Sequence, residues 1–223
     1  MKPVERRLPD ELRAVLLDWD GTLLDSFHAD SRAYLAMFRA LEIPWGLAEL
    51  ERHYSPDWYK VFRAARIPRE RWDEADRLWR RFYRREKPAL VTGARRVLRW
   101  LARRYTLGLV TSGDRVRVTR QLRQFELLSL FAARVFHEDS PRRKPHPAPL
   151  RLALQQLDAA PGDCLYVGDA AEDVVMARRA GVCVVGVLGS FPTHHRIRAA
   201  RPDALLDSLA ELPALLDGMQ ERR

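Results

Sequence analysis

Short apolar runs of strand length alternate with amphipathic segments of helix length along most of this chain, and that rhythm limits its fold more than any other feature. The runs are Ala14–Leu17, Leu107–Val110, Ala132–Phe136, Cys164–Val167 and Val182–Val187. Several carry Val and Leu at successive positions, so both faces of the strand are apolar, as in a sheet covered by helices on both sides. Between the last four lie Arg115–Leu127, Ala148–Leu157 and Ala171–Ala180, each long enough for a helix. This order predicts a doubly wound parallel α/β sheet. A chain of 223 residues has room for one large domain, or for one domain and a small insert.

The rhythm stops between about residues 27 and 91, where no run reads convincingly as a strand. Three helical patterns follow one another there, at 28–41, 47–66 and 69–85, punctuated by Pro44, Pro56, Pro68 and Pro88. In the third, Trp72, Ala75, Trp79, Phe82 and Tyr83 share one face, and Arg77, Arg80, Arg81 and Arg84 the other. The arginine row reads as a solvated face or as a surface for an anionic ligand. The expected organisation is an α/β core of residues 1–26 and 92–223, with residues 27–91 as an all-helical insert of the lid kind.

With 47% apolar residues the chain can build a real core. Cys164 and Cys183 lie in apolar runs without a CxxC or Cys/His cluster, so they read as buried free thiols and not as a zinc site. The stretch Met1–Arg7 lacks the apolar segment of a secretory signal, and no segment approaches the roughly 20 apolar residues of a membrane span. A cytoplasmic protein without membrane association is expected. The net charge of +9 is shared between the insert and the rest of the chain, not gathered in one tail or patch. With no nucleic-acid-binding motif of known type, a nucleic-acid partner is not expected.

Four short motifs carry candidate chemistry. The first strand runs into Asp18-Trp19-Asp20-Gly21-Thr22, which places two carboxylates on the same side of an extended chain, at the strand end where open α/β sheets bind ligands. Like charges buried together need a balancing cation, although a lone DxDG also occurs in calcium loops and helix caps. A second strand ends in Thr111-Ser112-Gly113, which suits a phosphate oxygen or a helix N-cap. Lys144-Pro145 follows two arginines; its lysine is either a compact charge for a phosphate or part of a solvated basic loop. Finally Leu165-Tyr166-Val167-Gly168-Asp169 is followed by Asp173, a second acid four residues on. This pair suits a metal, directly or through water, or the acidic first turn of a helix.

In their order and spacing these motifs resemble those of the haloacid dehalogenase superfamily, over about residues 11–188. The insert resembles the small helical cap that some members carry after the first motif. The resemblance implies a Rossmann-like core and a Mg²⁺-dependent phosphatase with an aspartyl-phosphate intermediate. It implies Asp18 as nucleophile and Asp20 as general acid and base, with Thr111, Ser112 and Lys144 holding the phosphoryl group. It also implies Mg²⁺ bound by Asp18, by Asp20 through its backbone carbonyl, and by Asp169, supported by Asp173. Trp19, between the two acids, is expected to point into the core, and His137 is given no role.

Within the superfamily, dehalogenases do not carry the acid two residues after the nucleophile, because a halide leaves without a proton. Asp20 therefore argues for phosphoryl chemistry. Sugar phosphomutases carry a histidine near the position that Asp30 occupies here. The layout resembles phosphoglycolate phosphatases most, with a small phosphorylated metabolite as substrate and Trp45–Trp58 as the candidate specificity segment. A phosphomutase, or a binding or regulatory protein on the same scaffold, are the alternatives.

Overall fold

The structure, a computed structural model, describes residue 9 and residues 11–220; the stretch Met1–Arg7, read above for a leader, lies outside the described residues. The chain runs β1 (Ala14–Leu17), β2 (Leu24–Asp25), α1 (Phe27–Ala40), α2 (Leu47–His53), α3 (Trp58–Ala64), α4 (Trp72–Tyr83), β3 (Ala89–Leu90), α5 (Ala94–Ala102) and β4 (Thr106–Val110). It continues through α6 (Arg115–Gln124), β5 (Ala133–Val135), α7 (Ala148–Gln156), β6 (Cys164–Gly168), α8 (Ala171–Ala180), β7 (Cys183–Val187), α9 (His194–Ala200), β8 (Ala204–Leu206) and α10 (Leu212–Gln220).

The residues divide into two compact units. One ends its first segment at Leu24 and resumes at Leu90; the other is Asp25–Ala89. Each junction falls two residues before the one read from the sequence.

The first unit holds a six-stranded sheet in the order β5-β4-β1-β6-β7-β8, with every pair parallel. Counted along this sheet alone, that is the 3-2-1-4-5-6 order of the doubly wound Rossmann arrangement, so the predicted fold class holds. Alternate side chains of β1 serve opposite faces, as a pleated strand requires. Val15 and Leu17 join Val97, Leu98 and Leu101 of α5, Val118 and Leu122 of α6, and Leu212 and Leu216 of α10. Ala14 and Leu16 join Leu150 and Leu154 of α7, Val174 and Ala177 of α8, and Ile197 of α9. The chain order reverses beside β1, which lies between β4 and β6, and this opens a crevice at the carboxyl ends of β1 and β6.

The second unit is helical. Tyr34, Met37 and Phe38 of α1, Leu50 of α2, Val61 and Phe62 of α3 and Ala75 of α4 form its core. Tyr59 and Trp72 stack with centroids 4.8 Å apart, and Trp79 donates from Nε1 to Asp30 Oδ1 at 3.0 Å. The α4 faces hold in the main: Ala75 and Tyr83 are buried with Trp72, Trp79 and Phe82 half-buried, and Arg77, Arg81 and the cap residue Arg84 are exposed, but Arg80 is half-buried and donates to Asp76 Oδ2 at 2.8 Å.

Three local expectations need correction. The pattern at 47–66 is two helices, not one. Pro56 has no N–H and disfavours a helical Ser55, and the chain restarts at Asp57, whose carboxylate accepts from the Tyr59 N–H at 3.2 Å. The third pattern opens with a 3₁₀ turn at Arg69–Arg71 before α4 begins. The stretch read as free of strands contains β3, which pairs with β2 in a separate two-stranded sheet. Two residues are too few to show a period. Among the described residues no helix is long and apolar enough to cross a membrane.

Candidate active site

Asp18 follows β1 and Asp169 follows β6, so the two neighbouring strands deliver their acids to the same end of the sheet. Asp173 lies on the first turn of α8 and Lys144 in the turn that leads into α7. One carboxylate oxygen from each of Asp18, Asp169 and Asp173 lies within 4.8 Å of the others, and all three residues are buried. Lys144 is buried with them. Its Nζ donates to Asp18 Oδ1 at 2.7 Å and to the Tyr166 hydroxyl at 2.8 Å, and lies 2.8 Å from Asp173 Oδ1.

Gly21 makes this closeness possible. Its φ is +84°, and a Cβ there would collide with Asp169 Oδ2 and with the Phe191 ring. The turn after Asp20 therefore folds back onto the acid of β6, where Thr22 Oγ1 donates to Asp169 Oδ1 at 3.2 Å.

Three buried acids share one buried ammonium, and their electrostatics reflect it. Burial is the main force that pushes Asp18 up to about 7; Lys144 opposes it, and Asp173 and Asp20 add to it. Burial, with Asp18 and Asp173 beside it, also raises Asp169 well above the usual carboxylate range. Burial alone would lower Lys144, but Asp173 and Asp18 outweigh it and push the ammonium above its ordinary value. Tyr166 is raised by burial and the same carboxylates, so it stays a neutral donor.

The site residues named from the sequence separate into two groups. Asp18, Lys144, Asp169 and Asp173 come together as one cluster. Asp173 also accepts from the Ala170 N–H through Oδ2 at 3.1 Å, so the reading of an acid in the first helical turn holds alongside the cluster. Asp20 is held apart, its two oxygens accepting from Arg117 Nη1 at 3.0 Å and Nη2 at 2.7 Å. Thr111 follows β4, and its hydroxyl accepts from the Gly113 N–H at 2.9 Å, which leaves the hydroxyl proton available to a ligand. Ser112 follows it, half-buried. The cap of α6 is neither hydroxyl but Asp114, which accepts from the Arg117 N–H at 2.9 Å. Trp19 is fully buried in the core and donates to Gln121 Oε1 at 2.9 Å, as its expected direction requires.

Tyr166, Thr22, Arg117 and Gln121 were not singled out in the sequence. Tyr166 carried a signal: a hydroxyl within a wholly apolar buried strand must find a polar partner. Arg117 carried none, because its partner is 97 residues away.

A profile of the haloacid dehalogenase-like hydrolase family matches residues 15–187. The chain belongs to this family. Pyrophosphatase PpaX of Oceanobacillus iheyensis is 26% identical over 205 residues, covering 90% of this chain and 95% of its own length. The protein of the same name from Bacillus velezensis is 29% identical over 204 residues, covering 89% and 94%. A predicted phosphoglycolate phosphatase from Haemophilus somnus superposes with a TM-score of 0.82 at 22% identity, covering 92% of this chain and 98% of its own, a likeness of fold. These matches meet the expectation of a haloacid dehalogenase-like enzyme, a phosphatase by the names of its relatives.

Proposed function

We propose that this chain is a magnesium-dependent phosphatase that hydrolyses a small phosphomonoester through an aspartyl-phosphate on Asp18. The observation that carries the reading is the charge imbalance at the strand ends, where three buried carboxylates face one ammonium. Such a set calls for a further cation, and its all-oxygen donors suit Mg²⁺. Asp18, Asp169 and the backbone carbonyl of Asp20 would hold the ion, with Asp173 in support. When bound, Mg²⁺ supplies positive charge to the phosphoryl oxygens and so lessens their repulsion of a carboxylate nucleophile.

The chain's own groups supply the rest. Lys144 gives the phosphoryl group a compact positive charge, fixed in place by Asp173 and Tyr166. Thr111 and Ser112 donate hydrogen bonds to its oxygens. An Asp18 oxygen attacks phosphorus, and the bond from phosphorus to the leaving oxygen breaks as Asp20 gives that oxygen a proton. Asp20, now a carboxylate, takes a proton from a water that attacks the phosphorus of the intermediate. The bond between Asp18 and phosphorus breaks, and Asp18 leaves as a free carboxylate beside inorganic phosphate.

In this reading residues 1–26 and 92–223 are the catalytic core, residues 27–91 are a cap, and Trp45–Trp58 helps to select the substrate. Asp30 accepts from Trp79, an arrangement that lends the phosphomutase alternative no support. The relatives' name adds pyrophosphate to the compounds worth testing.

The test is phosphate release from an aryl phosphate, phosphoglycolate, pyrophosphate and a panel of phosphorylated metabolites, with and without Mg²⁺. Release that requires Mg²⁺ is expected for at least one compound. No release from any compound at saturating Mg²⁺ would sink the proposal.

A further inference from the structure

We propose that Arg117 is a positioning residue for Asp20, aiming its carboxylate for the water-activating half of the reaction; this inference rests on the phosphatase reading above. The contact is a two-pronged fork, with Arg117 Nη1 to Asp20 Oδ1 at 3.0 Å and Nη2 to Oδ2 at 2.7 Å. Such a fork fixes the plane of a carboxylate as well as its place. The Arg117 side chain is 10% exposed and that of Asp20 24%, so this is not a solvated surface pair.

The arginine is itself aligned from several sides. Asp114 caps α6 at the Arg117 N–H, and its other oxygen lies 3.7 Å from Arg117 Nε. Gln121, one turn further along α6, accepts from Arg117 Nη1 at 3.3 Å and from Trp19 Nε1 at 2.9 Å. Trp19 is the residue between the two acids, so the backbone that carries Asp18 and Asp20 is tied to the helix that carries Arg117. Gly113 leaves the guanidinium its space, since a Cβ there would collide with Arg117 Nη2. These partners hold one side chain in one direction, toward Asp20.

The fork uses one acceptor site on each Asp20 oxygen, whereas an ionised carboxylate offers about four. Acceptor sites therefore remain for a water while both Arg117 bonds are in place. In the second half-reaction that water's oxygen bonds to phosphorus, its proton passes to Asp20, and the phosphorus–oxygen bond to Asp18 breaks. The fork is charge-assisted, and so strongest, only while Asp20 is a carboxylate; as the acid of the first half-reaction Asp20 is neutral and the arginine holds it less firmly. The geometry thus assigns the arginine chiefly to the step that breaks down the phosphoenzyme.

The experiment compares Arg117→Met, Arg117→Lys and the wild type on an aryl phosphate, whose leaving group needs little protonation. Steady-state rates are measured together with the fraction of enzyme carrying an acid-stable phosphoryl group. Arg117→Met should lower kcat about tenfold to a hundredfold, the scale of a misplaced catalytic group. KM should not rise, and the phosphorylated fraction should increase. Arg117→Lys, which keeps the charge but loses the fork, should recover part of the rate. A fall in kcat with an unchanged or smaller phosphorylated fraction overturns the inference, as does an unchanged kcat. If Arg117→Met does not fold, a raised phosphorylated fraction in Arg117→Lys supports the inference and an unraised one overturns it. A wild-type chain that releases no phosphate from any compound tested defeats the phosphatase reading itself, a failure visible before any Arg117 variant is made.

Discussion

Lys144 Nζ lies 2.7 Å from Asp18 Oδ1 although 126 residues separate the two in the chain. The same ammonium lies 2.8 Å from Asp173 Oδ1, so one lysine on the turn before α7 meets acids from β1 and α8. Lys144 is the buried cation that this cluster of carboxylates shares. Its removal leaves their charges uncompensated in a largely buried site.

Lys144→Met is therefore expected to destabilise the protein by about 3–5 kcal/mol, the usual consequence of breaking a buried pair from one side. It should also abolish phosphatase turnover. Denaturant unfolding measures the first effect. A loss below about 1 kcal/mol, the range of surface pairs, would show that the ammonium is not the charge on which the cluster depends.

The raised Asp18 gives a stability prediction with a definite sign. Burial holds its folded value at about 7, against an ordinary 3.8. Between these limits the folded state binds more protons than the unfolded chain, so metal-free stability should fall as pH rises through the window. The upward shift of Asp169 acts in the same direction. Mg²⁺ favours the charged carboxylates, so its stabilising effect should be larger at about pH 8 than at about pH 5. Thermal melts with and without Mg²⁺ at both pH values measure this. Equal Mg²⁺ shifts, or metal-free stability that rises across the window, would contradict the account.

Gly21→Ala tests the turn that folds the first motif onto Asp169. Alanine there must hold a positive φ, at a cost of about 1–3 kcal/mol, and must also displace the Asp169 carboxylate. Lower stability together with lost Mg²⁺ response is expected. A variant that melts and binds Mg²⁺ like the wild type would show that the turn does not set the distance between the two strand ends.

Much of this was legible in the sequence because buried parallel strands write themselves as apolar runs. β1, β4 and β6 ended where the runs ended, give or take one residue, and the acids after β1 and β6 fell at the strand ends. β8 escaped because Ala204–Leu206 is three residues long, and only Leu206 is buried. The single helix read over 47–66 failed where Pro56 outweighs the pattern around it. Among the site residues, those carried by local motifs were found. Arg117 and Gln121 were missed because their importance lies in contacts with distant parts of the chain, which no local spacing reports, whereas Tyr166 was missed although its hydroxyl in an apolar strand was a local signal.

The central claim is that Asp18 carries the phosphoryl group. Asp20→Asn with an aryl phosphate tests it most directly, because a good leaving group allows the first step while loss of the base slows the second by roughly 10²–10⁴. The enzyme is quenched in acid during turnover with Mg²⁺, digested, and its peptides weighed. The account predicts one phosphoryl group on the peptide that contains Asp18, removed by hydroxylamine as an acyl phosphate should be, and none in Asp18→Asn. A phosphoryl group on another residue, or undiminished turnover by Asp18→Asn, would contradict it.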